Sequence, residues 1–269
     1  MSDLNIESSE PTRVPSASTE LKLYVVHGSH PCAAVEKAIS IKGLSYDVVE
    51  WPPPLHAPMQ QLIFGARTVP ALKLNGEKVS GSRAIMRRLE QLAPEPPLWP
   101  AGEGARWRVE EAERWGDEVF QPVARELIWV GFKRRPAAME SYSEHSRLPL
   151  PPAAIRLIAP AIAWLASRLN RTSDGVARSD LAALPAQLDQ IDAWIADETI
   201  GHPDRPNAAD LQLGSTLRLL LTIGDVRPLI EGRPCAELAM RLFPDADGEL
   251  PAGSLPRAER GPLIGNDSS

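Results

Sequence analysis

Residues 94–104, PEPPLWPAGEG, hold four prolines and two glycines in a row of eleven. Proline pushes the residue before it out of helical backbone, and glycine supports a helix poorly, so no helix can run through this stretch. It therefore splits the chain into two parts that must fold by different rules. Ahead of it, short strand-like and helix-like runs alternate. Behind it, every periodic segment is helical.

The first part reads in order. Leu21–Val26 (LKLYVV) is short and ends in three apolar residues, as a buried strand does. Pro31–Lys42 follows with Val35, Ala38 and Ile39 at helical spacing and Gly43 as the stop. Tyr46–Glu50 is a second strand, and Trp51–Ala66, opening with three prolines, has room for one short helix. Val69–Leu74 and Glu77–Ser80 flank Asn75-Gly76, a strong hairpin signal. Ser82–Leu92 then places Ile85, Met86, Leu89 and Leu92 on one helix face. The order β-α-β-(α)-β-β-α describes a parallel βαβ unit followed by a hairpin and a helix. In the second part the pattern predicts helices over about 105–132, 151–170, 180–197, 208–222 and 234–243, with Pro122 kinking the first. The domain expectation is a disordered arm at 1–19, an α/β domain at 20–99, an all-α domain at 105–249 and a flexible tail at 250–269.

Composition narrows the function classes. Thirty-five acidic against 29 basic residues leave a net charge of −6, which argues against nucleic acid as a partner. Two cysteines, Cys32 and Cys235, cannot build a disulfide framework, and no Cys/His spacing suggests a metal. The polar first twenty residues show no secretory pattern, and apolar runs such as 217–223 are far shorter than the roughly 20 residues of a membrane span. The expectation is a cytoplasmic protein with no membrane partner.

Three places can carry chemistry. The loop His27-Gly28-Ser29-His30-Pro31-Cys32 puts a hydroxyl at the positive end of a helix, where an anion such as a thiolate is stabilised. Val69-Pro70 precedes the third strand; a cis bond there would hold the Val69 backbone open to an added strand. Ser82, after Gly81 and before Arg83, starts a helix that could accept a carboxylate. Taken singly, each has a plainer reading: a helix cap, a strand-edge proline, another cap. Cys32 is either a reactive first-turn thiol or a small buried side chain facing the sheet.

In this order the motifs resemble the glutathione S-transferases. Ser29 begins the first helix, Val69-Pro70-Ala71-Leu72 opens the third strand, and Ser82-Arg83-Ala84-Ile85 follows the hairpin. Asn207-Ala208-Ala209-Asp210 resembles the family's helix-capping box. The resemblance implies a thioredoxin-like α/β domain followed by an all-α domain, of a bacterial, serine type, acting in the cell as a homodimer. It implies glutathione as co-substrate, with Ser29 activating its thiol, Val69 and cis-Pro70 pairing with its backbone, and Ser82 holding its γ-glutamyl carboxylate.

The chain departs from the family at Gly81, where glutamate or glutamine is usual, so the partner for the substrate's amino group is missing; Arg83 could instead meet a carboxylate. Cys32 stands where thioredoxin relatives keep their second redox cysteine, and one thiol cannot perform dithiol exchange. On the helical side, Trp115, Val119, Val123 and Leu127 read mostly as core, and Trp107, Glu111 and Arg114 are the candidates for an electrophile pocket. The function expected is conjugation of a glutathione thiolate to a soft electrophile. A non-catalytic binding protein, favoured by Gly81, and a Cys32-dependent thiol reductase or lyase are the alternatives.

Overall fold

The computed structural model describes residues 20–53, 55–148, 150–202 and 204–257. The arm expected at 1–19 and the chain beyond 257 lie outside the described residues. Four strands, β1 (Leu21–Val25), β2 (Asp47–Glu50), β3 (Ala71–Leu74) and β4 (Glu77–Ser80), form one sheet in the order β2-β1-β3-β4. β2 runs parallel to β1, which requires a crossover, and α1 (His30–Ile41) supplies it. β3 is antiparallel to β1, and β4 to β3. Asn75 and Gly76 turn that hairpin with φ of 49° and 88°, the left-handed backbone that favours these two residues.

α1 and α3 (Ser82–Leu92) bury Val35, Ala38, Ile39, Ile85, Met86 and Leu89 completely. The short helix of the proline-led stretch is α2 (His56–Phe64), whose Phe64 meets Tyr24 of β1 edge-on at 4.9 Å. The linker that ends this domain is held from within it. The Lys42 ammonium, its side chain fully buried, pairs with Glu90 and donates to the carbonyls of Pro94 at 3.2 Å and Pro96 at 2.6 Å. The Glu90 carboxylate in turn accepts the Leu98 N–H. A proline-rich segment has few donors of its own, so its carbonyls need partners from elsewhere.

The helical half differs from the sequence pattern at its first helix. The single helix expected over 105–132 is two, α4 (Glu103–Trp115) and α5 (Gln121–Arg134), joined by a π-helical turn at Gly116–Phe120. The Gln121 N–H reaches back five residues to the Gly116 carbonyl, so the wide turn precedes Pro122, which has no N–H to continue an α-helical ladder. A 3₁₀ segment, Pro136–Ser143, follows, then α6 (Pro152–Asn170), α7 (Asp174–Ala196), α8 (Ala208–Leu221), α9 (Arg227–Ile230) and α10 (Pro234–Leu242). The 3₁₀ segment and α9 have no clear apolar period. α7 starts six residues before its expected beginning because Ser173 caps it, its Oγ accepting from the Val176 N–H at 3.2 Å. α6 is 19 residues long and, by length and composition alone, apolar enough to cross a membrane, though Arg156 and Arg168 interrupt its apolar run. It packs against the 3₁₀ segment and α5, and leaves Leu157 and Trp164 exposed.

α8 is the central post of the molecule, packed against α1, α4 and α10 and buried at twelve of its fourteen positions. Its start is a complete capping box. Asn207 Oδ1 accepts from the amides of Ala209 and Asp210 at 2.9 and 3.0 Å, and Asp210 accepts from Asn207 N–H at 2.8 Å. Burial pushes the Asp210 carboxyl up to about 6 even though the amides of Asn207 and Gly201 pull it down. The first residues of the tail expected at 250–269 are held in place. Leu250 is fully buried and pairs with Ile223, and the Asp225 carboxylate accepts the amides of Gly253, Ser254 and Leu255.

Candidate active site

The loop after β1 turns at Gly28, whose φ of 72° suits glycine. Ser29 occupies the N-cap of α1, and its carbonyl accepts from the amides of Cys32 and Ala33, both at 3.0 Å. Its hydroxyl makes no capping bond to the helix, so it stands half-buried at the helix's positive end. The two side chains that follow are withdrawn from acid–base work near neutral pH. Burial, with the Arg125 guanidinium, lowers His30 to about 3, and its Nε2 has no partner among the described residues. Burial pushes the Cys32 thiol up to about 12, outweighing the Ser29 side chain and the Val26 backbone. A cysteine 2% exposed and held as a thiol is poorly suited to be a nucleophile, so the reading of Cys32 as a reductase or lyase centre finds no support in the geometry.

Ser29 faces a cleft of about 470 Å³ between the sheet domain and the helices. Thr68 and Val69 line it beside the loop. The Val69–Pro70 bond is cis, and among the described residues no hydrogen bond uses the Val69 N–H or carbonyl, while the Pro70 carbonyl accepts from Gly81 at 2.9 Å. Gly81 and Ser82 complete this wall. Gly81 caps α3 at a φ of 90° with no side chain to bond the first amides, so the positive end of α3 also opens onto the cleft. The Ser82 hydroxyl donates to Gln212 Oε1 at 3.1 Å, and Gln212 Nε2 donates to Gln121 at 2.7 Å and to Asp117 at 3.5 Å. Gly116 packs closely beneath this link, where an added Cβ would lie 3.0 Å from Leu213 and 3.1 Å from the Gln212 side chain.

The opposite wall comes from the π turn, α5 and the 3₁₀ segment. Asp117, Gln121 and Arg125 are its polar part; Ile128, Trp129 and Phe132 continue it as an apolar part that Met139 and Tyr142 close. Phe132 meets Trp129 and Tyr142 edge-on at 5.6 and 5.0 Å. Burial raises the Asp117 carboxyl despite Arg83 nearby.

Of the residues singled out in the sequence, the structure brings Ser29, Val69, Gly81 and Ser82 to the cleft and leaves others out. Arg83 does not line it: its guanidinium lies 3.7 Å from Glu113 and 3.6 Å from Glu118. Trp107 is 65% exposed, and Glu111 and Arg114 pair with each other at 2.6 Å on the outer surface of α4. The helical residues that line the cleft lie instead at 117–132, about three turns further along the chain. The signal was present as a stripe at 117, 121, 125, 128 and 132, which alternates with the core stripe of Val123 and Leu127.

The comparisons with known proteins match this architecture. A family model, the glutathione S-transferase N-terminal domain, matches residues 23–97. The fold is that of the glutathione transferases. The beta-etherase LigF from Sphingobium sp. strain SYK-6 is similar at 21% identity and a TM-score of 0.57, over 75% of this chain and 84% of that one. A glutathione S-transferase from Rhodospirillum rubrum is similar at 23% identity and a TM-score of 0.52, over 81% and 86%. A maleylacetoacetate isomerase from Anaeromyxobacter dehalogenans, with dicarboxyethyl glutathione in its active site, is similar at 21% identity and a TM-score of 0.50, over 83% and 86%. No curated protein matches the sequence.

Proposed function

We propose that this chain is a glutathione-dependent transferase that adds the glutathione thiolate to an apolar, soft electrophile. One observation carries the reading: the half-buried Ser29 hydroxyl, which caps no helix amide, the Val69 backbone, unpaired among the described residues, and the uncapped start of α3 all open onto one cleft. The first would hydrogen-bond the thiolate, the second would pair with the cysteinyl backbone, and the third would take the γ-glutamyl carboxylate. The α1 amides add preorganised positive potential where sulfur carries charge.

The amino group that lacks a partner at Gly81 finds one in Asp117. That carboxylate lies on the same hydrogen-bonded chain as Ser82, through Gln212, and Gln121 stands beside it. The electrophile would lie against Ile128, Trp129 and Phe132, a surface that suits an aromatic or other flat apolar molecule. Assembly as a homodimer belongs to the same proposal, and light scattering of the purified protein tests it.

Calorimetric titration with reduced glutathione near neutral pH tests the central reading. Binding between micromolar and low millimolar, about −8 to −4 kcal/mol, is the expected result. No heat and no shift in melting temperature at millimolar glutathione would sink it.

A further inference from the structure

On the other side of the Ser29 loop lies a second cavity, of about 290 Å³. The two cavities share His27, Gly28 and Ser29 as a partition. The His27 side chain is half-buried in this partition and is held from the helical half. Its Nε2 lies 2.7 Å from Asp247 Oδ2, and the other oxygen of Asp247 lies 2.5 Å from His145 Nδ1. Asp247 belongs to the segment after α10, outside the matched domain at 23–97. Because a carboxylate only accepts, the Nε2 that faces Asp247 carries a proton, and no hydrogen bond among the described residues uses Nδ1.

We propose that His27, oriented by Asp247, is the proton acceptor that generates the thiolate, with Ser29 stabilising the anion it leaves. This rests on the reading of the cleft as a glutathione site. A serine hydroxyl can share a hydrogen bond with sulfur but cannot carry its proton away near neutral pH. His30 and Cys32 are unsuited to do so, as their burial shows. In the step, the thiol proton passes to His27 Nδ1 and the imidazolium is balanced by Asp247. Sulfur then attacks the electrophilic carbon, the carbon–leaving-group bond breaks with its electron pair, and His27 returns the proton to the leaving group. A carboxylate that orients an imidazole and offsets its charge is the arrangement a general base needs.

The charges around His27 come from several elements. Glu36 of α1 and Glu50 of β2 share its cavity, as do His145 and Arg147 after the 3₁₀ segment. Arg218 of α8 and Asp245 close the far side. Glu50 is occupied by the Ser146 hydroxyl and the Arg147 amide, and Arg218 by the carbonyls of Phe243 and Pro244. Among the described residues Asp247 is the group hydrogen-bonded to the imidazole, and Glu36 is a second negative charge that feels it.

The test compares wild type, His27→Gln and Asp247→Asn. Reduced glutathione is titrated calorimetrically, and kcat/KM with chlorodinitrobenzene is followed across pH on the same preparations. All three should bind glutathione alike. His27→Gln should lose about 100-fold in kcat/KM near neutral pH and regain most of it as pH rises to where the thiol ionises unaided. Asp247→Asn should lose about tenfold, with the same recovery. A His27→Gln protein that matches wild type, or is slower by one factor at every pH, overturns the proposal; the second is what a merely structural histidine would give. If melting curves show that His27→Gln does not fold, Asp247→Asn decides alone, by whether its pH limb moves. Wild type that binds no glutathione overturns the reading beneath and this proposal with it.

Discussion

On the sheet side of the cleft the groups on offer are largely backbone, the Val69 amide and carbonyl, the His30 amide and the first amides of α3, with hydroxyls from Ser29, Thr68 and Ser82 beside them. On the helical side they are all side chains, from Asp117 and Arg125 to Trp129 and Phe132. Backbone groups are placed by the fold and survive most substitutions. Side chains are placed by helix register, and one residue changes what each position offers. The difference suggests a division of labour in which the sheet wall recognises a constant substrate and the helical wall a variable one.

Ser29→Ala is the sharpest way to break that comparison, because it removes a side chain from the backbone wall. We expect a loss of about 100-fold or more in kcat/KM, the usual effect of deleting one donor to a developing anion. Glutathione affinity should change little, since the amides remain. Equal activity in the variant would show that the thiolate needs no hydrogen bond from Ser29, and a large loss of affinity would mean that Ser29 serves binding rather than the chemical step.

Asp117→Asn sharpens it from the other side. If a helical side chain has taken over the role missing at Gly81, the two substrates are not cleanly divided between the walls. The expected result is glutathione binding about tenfold weaker, close to the effect of one charge-assisted hydrogen bond at a half-buried site. Unchanged affinity would return the amino group to solvent. Trp129→Leu should act the opposite way, leaving glutathione affinity intact and raising KM for an aromatic electrophile a few-fold. An aliphatic electrophile measured in parallel should be less affected.

The same contrast explains what could be read in the sequence. Ser29, Val69 and Ser82 were legible because each sits at a junction that local chemistry marks: a turn with Gly28 and Pro31, a proline before a strand, a helix after an Asn-Gly hairpin. The ends of α3 and the capping box at Asn207–Asp210 were legible for the same reason. Register across the linker was not. Whether Glu111 or Asp117 faces Ser29 depends on how far the 94–104 segment travels, and Lys42 sets that through bonds to the carbonyls of Pro94 and Pro96 that no local pattern announces. The π turn adds to the error, because a five-residue reach at Gly116 rotates everything after it relative to an ideal helix. The docking of Asp247 beside His27 joins residues 220 positions apart, which sequence periodicity cannot report.

The smallest effect we expect concerns that docked segment, which belongs to neither wall. The Asp247 bond and charge raise His145 above its ordinary value, so this pair stabilises the docked segment fully below the unperturbed value of about 6.5 and loses that contribution as pH rises through the higher folded value. Asp247 runs the other way. Burial alone would raise it, but hydrogen bonds from His145 and His27 prevail and hold it below the ordinary carboxylate range, so its contribution exists above about 3.9 and disappears as pH falls through the lowered value. Docking should therefore be firmest between these limits and looser at mildly alkaline pH. Hydrogen exchange of the amides at 245–249, corrected for the intrinsic pH dependence of exchange, reads this directly. His145→Gln should flatten the alkaline side of the profile and leave the acid side in place. A wild-type profile that is flat from pH 5 to 9 would mean that Arg218, through the carbonyls of Phe243 and Pro244, holds the segment without help from either histidine.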